Sequence, residues 1–431
     1  MTLGARISSL RGSRILHGSA WVLVGLVVQA GLGFAFWTLA ARVASVDDVG
    51  RASTLFTIVQ FVNYATGLGL TVMLARFAAV RSVDTERLYG WSLVAGALSS
   101  VVGAVAFAVL GSDASTRLVV GSPWSIAVFA FYVAGISVGL LADVRFMAER
   151  RWGWLIGRVA VVGVIRLPLL LVPHAAGDDT WLYHLMLAPL AIGGWLSVPL
   201  LAAIDAGRPR LGRIQDWRPP VEFAGVNWAA ALASTAPQFV LPLIVTAEVP
   251  ASTYAGFFLA WTITGLVLLV PGAISQILLV EGARTDAGES AVAPDPSGGR
   301  ATGEDASLAD HARQALRFSV GIAVVAWVGA FAGGRLLTMV LGDGYQVLAA
   351  ALPSLVGAGI PWAITSVRLS EARLRHDQTA TIVVTAVLGV GILGPAAVWI
   401  PAWGVAGATR AWLLGNVAAA VVAEAMDRRP R

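Results

Sequence analysis

Segments of about 18 or more residues, mostly apolar and with few charges, recur twelve times along this chain, and that recurrence constrains the fold more than any other feature. They cover approximately 18–41, 52–75, 90–110, 122–142, 154–173, 181–203, 223–247, 253–280, 318–334, 346–367, 380–399 and 402–424. About twenty helical residues cross a hydrocarbon layer ~30 Å thick, so each run predicts a membrane helix. With 57% hydrophobic and 13% charged residues, the chain carries more apolar surface than a soluble domain can hide. Trp91, Trp124, Trp152, Trp154, Trp181, Trp217, Trp399 and Trp403 fall at the ends of these runs, where an interfacial aromatic belt belongs. The expected fold is an all-α polytopic membrane protein of about 12 transmembrane helices, lying multi-pass in a cell membrane.

Arginine placement orients it. All 30 basic residues are Arg. Arg42, Arg51, Arg117 and Arg335 lie on one set of connections and Arg158, Arg166 and Arg410 within runs, which leaves 23 on the other set. That asymmetry places both termini in the cytoplasm. It also accounts for the net charge of +5 without a nucleic-acid partner. The charged stretch Met1–His17 followed by an apolar run resembles a signal peptide only superficially, because the run is long and has no small-residue cleavage site, so it is read as the first helix.

The absences exclude chemistry. Without Lys there is no Walker-A phosphate loop, Schiff base or amine general base; without Cys there is no disulfide, thiol nucleophile or Cys-ligated zinc. His17, His174, His184, His311 and His376 lack metal-ligand spacing, so no metal and no cofactor is expected.

The chain also reads as doubled. Gly18 to Trp21 opens the first run and Gly225 to Trp228 the seventh in the same pattern, Gly-x-x-Trp. Six spans per half is an even number, so both halves enter from one side, as a parallel pseudo-two-fold repeat about the membrane normal. The expected organisation is an N-terminal six-helix lobe over 1–205, a cytoplasmic connector over 206–220 and a C-terminal six-helix lobe over 221–431. Within the last, 281–317 reads as a flexible cytoplasmic loop, for it holds Asp295 to Gly299 (Asp-Pro-Ser-Gly-Gly) and little apolar periodicity.

A charge inside a bilayer marks a functional residue by default, since it is expensive there. Arg166, about 18 Å along its helix from Trp154, reads as deeply placed, and Arg410 lies in the last run. Arg158, near the start of its run, is placed to snorkel. The nearest acids, Asp143, Glu222, Glu281 and Glu424, all fall at inner ends. A deep guanidinium without a counter-ion calls for a wet cavity or an anionic ligand, and its planar fork suits phosphate oxygens. The same lack of a membrane-embedded carboxylate argues against a proton- or sodium-driven cation exporter. Asn227, Ser234 and Gln238 share a helix face, as do Gln60 and Asn63, while Gln29 sits midway along the first run. They serve either interhelical hydrogen bonding or a sugar path. Pro237, Pro242 and Pro271 suggest that helices seven and eight are bent or broken. Asp47 and Asp48 invite comparison with the acids of membrane glycosyltransferases, but the outer loops are too short for a catalytic lobe and a turn role is preferred.

Five stretches resemble a known superfamily. Leu39-Ala-Ala-Arg42-Val-Ala-Ser-Val-Asp-Asp-Val-Gly50, then Gly67-Leu-Gly-Leu70 and Leu74-Ala-Arg76, are similar to the opening of polysaccharide flippases of the multidrug/oligosaccharidyl-lipid/polysaccharide exporter superfamily. Leu341-Gly-Asp-Gly-Tyr345 and Trp403-Gly-Val-Ala-Gly407 resemble its second lobe. The resemblance implies two six-helix lobes, alternating access, and a cationic cavity for the diphosphate and sugars of a polyprenyl-diphosphate-linked glycan. By placement, Arg166 and Arg410 would line it, with Arg42 near its outer mouth and Arg158, Gln29, Asn63, Asn227 and Gln238 along the path. The expected activity is non-enzymatic flipping of a lipid-linked oligosaccharide for cell-surface polysaccharide, beside a glycan polymerase and glycosyltransferases. A drug or cation antiporter of the same fold, and a glycosyltransferase acting on a polyprenyl-linked sugar, are the alternatives.

Because the chain has no Cys, single-cysteine labelling needs no background removal. In right-side-out vesicles, Ser45→Cys should react with a membrane-impermeant maleimide and Thr285→Cys only after permeabilisation; the reverse pattern would invert the topology.

Overall fold

Membrane segments must satisfy their backbone hydrogen bonds internally, and among the described residues the structure is helical throughout its spans. A computed structural model describes residues 3–80, 84–110, 121–172, 180–205, 207–289, 301–375 and 377–428. The helices are α1 (Leu3–Val43), α2 (Val46–Thr66), α3 (Leu70–Val80), α4 (Thr85–Leu110), α5 (Pro123–Ala148), α6 (Trp152–Leu169) and α7 (Trp181–Ala203). There follow α8 (Arg218–Glu248), α9 (Ala251–Glu289), α10 (Ala301–Leu341), α11 (Gln346–Gly357), α12 (Gly359–Leu374), α13 (Gln378–Trp403) and α14 (Val405–Asp427). Among the described residues, eleven helical segments are long and apolar enough to cross a membrane, and the bent pair α2 and α3 makes a twelfth crossing if counted as one. Large apolar side chains also cover the outside, Val102 at 66% exposure and Val390 at 72% among them, as a hydrocarbon solvent permits.

Helix starts follow ordinary capping chemistry. Ser45 accepts the Asp48 N–H at the start of α2, Ser122 does the same for Ser125 ahead of Pro123, and the Asp377 carboxylate accepts the Ala380 N–H at 2.9 Å. Asp47 and Asp48 occupy the first turn of α2, where negative charge meets the positive end of the helix dipole, and Asp48 pairs with Arg51 at 2.6 Å.

The second run, expected as one span over 52–75, is broken. Its two helices meet at 55°, with Leu68 and Gly69 at φ of 50° and 66°. Leu70 N–H bonds the Gly67 carbonyl, so the Thr66 carbonyl loses its intrahelical donor; Ser99 Oγ supplies one at 3.0 Å. Trp228 Nε1 donates to the Ala65 carbonyl at 3.1 Å, and the Tyr64 hydroxyl to that of Leu232. Gly69 serves sterically as well, since a Cβ there would lie 2.1 Å from the Ala224 carbonyl oxygen.

The prolines of helices seven and eight do not break them. Pro237 and Pro242 sit inside a continuous α8 and Pro271 inside a continuous α9. The segment 281–317 also differs from a loop: helix extends to Glu289 and resumes at Ala301, and 290–300 lies outside the described residues. Ala306, Ala309, Ala312, Ala315, Leu308 and Leu316 are strong helix formers, and Leu308, Ala312 and Leu316 repeat every fourth residue.

The chain forms two compact units, Met1–Leu232 and Ala233–Arg431, so their division falls inside α8 rather than at the connector expected over 206–220. In the first, α5 packs against α4 and α7, and α1 against α6. The connector lies across the start of α4: Arg210 N–H donates to the Glu86 carbonyl, Trp91 Nε1 to Gly212 and Arg87 Nη1 to Arg213. In the second, α13 packs on α14, and α9 gathers α10, α11 and α12. Small residues allow the closest crossings. A Cβ on Gly194 of α7 would lie 1.9 Å from the Gly135 carbonyl oxygen of α5.

Gly194→Ala should therefore force α5 and α7 apart and destabilise the protein by about 1–3 kcal/mol. Gly333→Ala, with nothing within 4 Å of the new methyl, should be neutral or stabilising; thermal unfolding in detergent reads both.

Candidate functional site

Polar side chains in the apolar helices are held mainly by their own backbone. Asn63 Nδ2 donates to the Val59 carbonyl at 3.1 Å, Asn227 Nδ2 to Phe223 at 2.7 Å and Asn416 Nδ2 to Trp412 at 2.8 Å. Ser92, Ser197, Thr264 and Thr365 bond four residues back in the same way. The amide hydrogens of Asn63 and Asn227 that these bonds use are directed along their own helices. Gln29, Gln60 and Gln238 are exposed on α1, α2 and α8.

The arginines expected within spans have three different environments. Arg166 is buried at 5% exposure, but it sits in the last turn of α6, not deep in a longer span as the sequence suggested. Its Nη1 lies 3.1 Å from Met186 Sδ of α7, and its Cζ lies 5.6 Å from the Phe36 ring centroid on α1. Its Nε finds no acceptor, and no carboxylate pairs with it among the described residues. Asp178 and Asp179, nearby in sequence, lie outside those residues. A thioether and an aromatic face are weak partners for a cation, so the guanidinium keeps donors to spare. The carbonyls at the end of α6 add the favourable end of a helix dipole.

Arg158 is different. It forms a short ion pair with Asp143 of α5, both side chains mostly buried, so it is matched within the protein rather than snorkelling unpaired. Arg410 is exposed in the second turn of α14 with its Cζ 5.0 Å from the Trp403 ring centroid. Gly404, at φ 54°, makes the tight link from α13 to α14 that sets those two side chains together. Arg42 is exposed in the last turn of α1. Among the described residues, no hydrogen bond or ion pair joins any two of Arg42, Arg158, Arg166, Arg410, Gln29, Asn63, Asn227 and Gln238. Six of them belong to the first unit and Gln238 and Arg410 to the second. His184 Nδ1 lies 2.9 Å from the Tyr132 hydroxyl, and no group of three metal-ligating side chains occurs among the described residues.

One constellation escaped the sequence reading. Arg368 on α12 holds Glu424 of α14 bidentately at 2.9 and 3.1 Å, Glu371 at 2.8 Å and Asp427 at 2.9 Å. Arg375 bonds Asp427 at 2.8 Å. Glu371 is 2% exposed. The spacing of Arg368, Glu371 and Arg375 against Glu424 and Asp427, all at matching helical positions, carries the signal, but the charge asymmetry between connections accounts for these Arg without it.

Fold, composition and the apolar exterior define an all-α polytopic membrane protein. No protein-family model matches this sequence, and no curated protein matches it. Solved structures do match in fold. The lipid II flippase MurJ, in an inward closed conformation, aligns with TM-score 0.70 at 9% identity over 94% of this chain and 87% of that one. An inward-facing multidrug resistance MATE family transporter of the MOP superfamily aligns at 0.68 and 14% identity over 95% and 97%. A mutant of the Vibrio cholerae MATE transporter VcmN aligns at 0.62 and 15% over 97% and 96%.

Removing Arg368 would leave Glu371 buried with only Arg375, at 3.6 Å, beside it. Arg368→Ala should destabilise by about 3–5 kcal/mol, and the double change Arg368→Ala, Glu371→Ala by less. Equal losses in thermal unfolding would show that Glu371 left without Arg368 carries no burial penalty of its own.

Proposed function

We propose that this chain is a membrane transporter that flips a lipid-linked oligosaccharide, using arginines to hold its diphosphate head group. The observation that carries the reading is Arg166: a buried cation walled by Phe36 and Met186, with a free Nε donor and no carboxylate partner among the described residues. Hydrocarbon excludes a hydrated diphosphate, and a guanidinium with unused donors offsets that exclusion through paired charge-assisted bonds. The fold shared with a lipid II flippase supports the reading.

Counting the bent pair as one crossing, the parity of crossings along the chain assigns the helix ends that carry Arg42, Arg166 and Arg410 to the same membrane side. With the N-terminus cytoplasmic, that side is the outer one. In this reading the three cations act at the release end of the path rather than at its midpoint, while the polyprenyl chain stays in lipid. A two-lobed parallel repeat and rocking between lobes complete the mechanism. The second reading, a drug or cation antiporter, is favoured by the MATE likeness. It requires an available membrane carboxylate, and the charge of Asp143 is already matched by Arg158.

Arg166→Gln and Arg410→Gln should each lower flipping of a labelled polyprenyl-diphosphate oligosaccharide in proteoliposomes by about tenfold or more, the worth of one lost charged hydrogen bond. Unchanged size-exclusion profiles would establish that the variants fold. Normal flipping in both variants would overturn the site, and sodium- or proton-driven dye export by the wild type would favour the antiporter.

A further inference from the structure

Glycines lock the corner between α13 and α14. Trp399 and Trp403 stand one turn apart at the end of α13, their ring centroids 5.7 Å apart and their planes 33° from parallel. Gly404, at φ 54°, turns the chain into α14 and donates its N–H to the Ile400 carbonyl at 2.7 Å. A Cβ on Gly407 would lie 2.1 Å from the Trp399 carbonyl oxygen, and one on Gly415 2.3 Å from Ile392. These contacts fix both backbones, and with them the two indoles and Arg410, whose Cζ lies 5.0 Å from the Trp403 centroid. Trp403 is half exposed. Among the described residues nothing accepts from the indole N–H of Trp399 or Trp403, and no acceptor meets the Arg410 guanidinium. The first turn of α14 holds no acid to offset that charge. Glu248, exposed at the end of α8, is unpaired too, and its neighbour Val249 lies 3.6 Å from where a Gly404 Cβ would be. A tryptophan that only anchors a protein at the membrane interface needs neither a second ring nor a cation beside it.

We propose that Trp399 and Trp403 form a sugar subsite for the head group whose diphosphate Arg410 holds. The inference rests on the function proposed above and adds what distinguishes a sugar-bearing lipid from a bare one. A pyranose ring carries a patch of weakly positive C–H groups that packs on the negative face of an indole. Its hydroxyls take the open indole N–H groups as donors and the Glu248 carboxylate as acceptor. The guanidinium fork pairs with the phosphate oxygens. Arg410 and Trp403 are neighbours, as are a phosphate and the sugar it esterifies. Because the corner is rigid, little ordering remains to be done on binding. On the topology read from the arginines the subsite lies at the outer end of the path, where it favours the lipid that still carries its sugar.

The test uses the full chain in detergent and native mass spectrometry, with undecaprenyl diphosphate, the same lipid bearing one N-acetylglucosamine, and phosphatidylglycerol as probes. Wild type should retain the sugar-bearing lipid better than the bare one. Trp403→Leu should lower that ratio about threefold to tenfold, the worth of one aromatic contact, with retention of bare undecaprenyl diphosphate unchanged. Trp399→Leu reads the same ratio if Trp403→Leu misfolds, and Trp124→Leu, an exposed tryptophan on the same membrane side, should leave it as in wild type. Equal retention of the two polyprenyl lipids by wild type, or a ratio unchanged in both subsite variants, overturns the proposal. So does a parallel loss of all three lipids in Trp403→Leu, which would make the pair an interfacial anchor. If the ratio is insensitive to Trp399 and Trp403 while Arg166→Gln still loses flipping, the inference falls and the proposed function stands. Wild type that retains neither polyprenyl lipid sinks both.

Discussion

The backbone of a membrane span has no water to bond with, and nearly every feature of this chain answers to that constraint. Long uninterrupted helices are its direct consequence. The break between α2 and α3 shows the same rule from the other side, because the chain leaves the helix at Gly67–Gly69 only where other groups take over. Ser99 reaches the Thr66 carbonyl, Trp228 reaches that of Ala65, and Tyr64 ties the broken end to Leu232. Serine, threonine and asparagine bonds to carbonyls four residues back follow from it too: a hydroxyl or amide in hydrocarbon must find a partner, and its own helix is the nearest source.

Charge obeys a related rule with more varied solutions. Arg158 is neutralised by Asp143, and Arg368 and Arg375 by three acids gathered from α12 and α14. Arg410 lies over Trp403 with one side open. Arg166 has the poorest protein partners of the set, a thioether and an aromatic face, which is why it bears the functional argument. Burial alone does not distinguish these sites, since Arg145 is as buried as Arg166 and is paired with Glu149. What separates them is the chemistry of the nearest acceptor.

Much of this was legible in the residue pattern, because apolar length and Trp position report directly on span ends: Trp124, Trp152 and Trp181 stand at or next to the first residues of α5, α6 and α7. Other features were not. Proline does not mark where the helices break: Pro237, Pro242 and Pro271 lie in continuous helices, while the break falls at Gly67–Gly69. The length of α6 also changed the meaning of Arg166, because its distance from Trp154 reaches the far end of an 18-residue helix rather than the middle of a longer one.

By itself, the sequence determined the membrane class, the helical content, the approximate spans and the lack of Lys and Cys chemistry. These depend on composition and on local apolar runs, which need no knowledge of what packs against what. Only the tertiary structure decided which arginines are matched and which are not. Asp143 and Arg158 come from different helices, as do Arg368 and Glu424, and the walls of Arg166 come from α1 and α7. Pairing of that kind is set by helix rotation and crossing, where a single glycine such as Gly194 governs how closely two backbones approach.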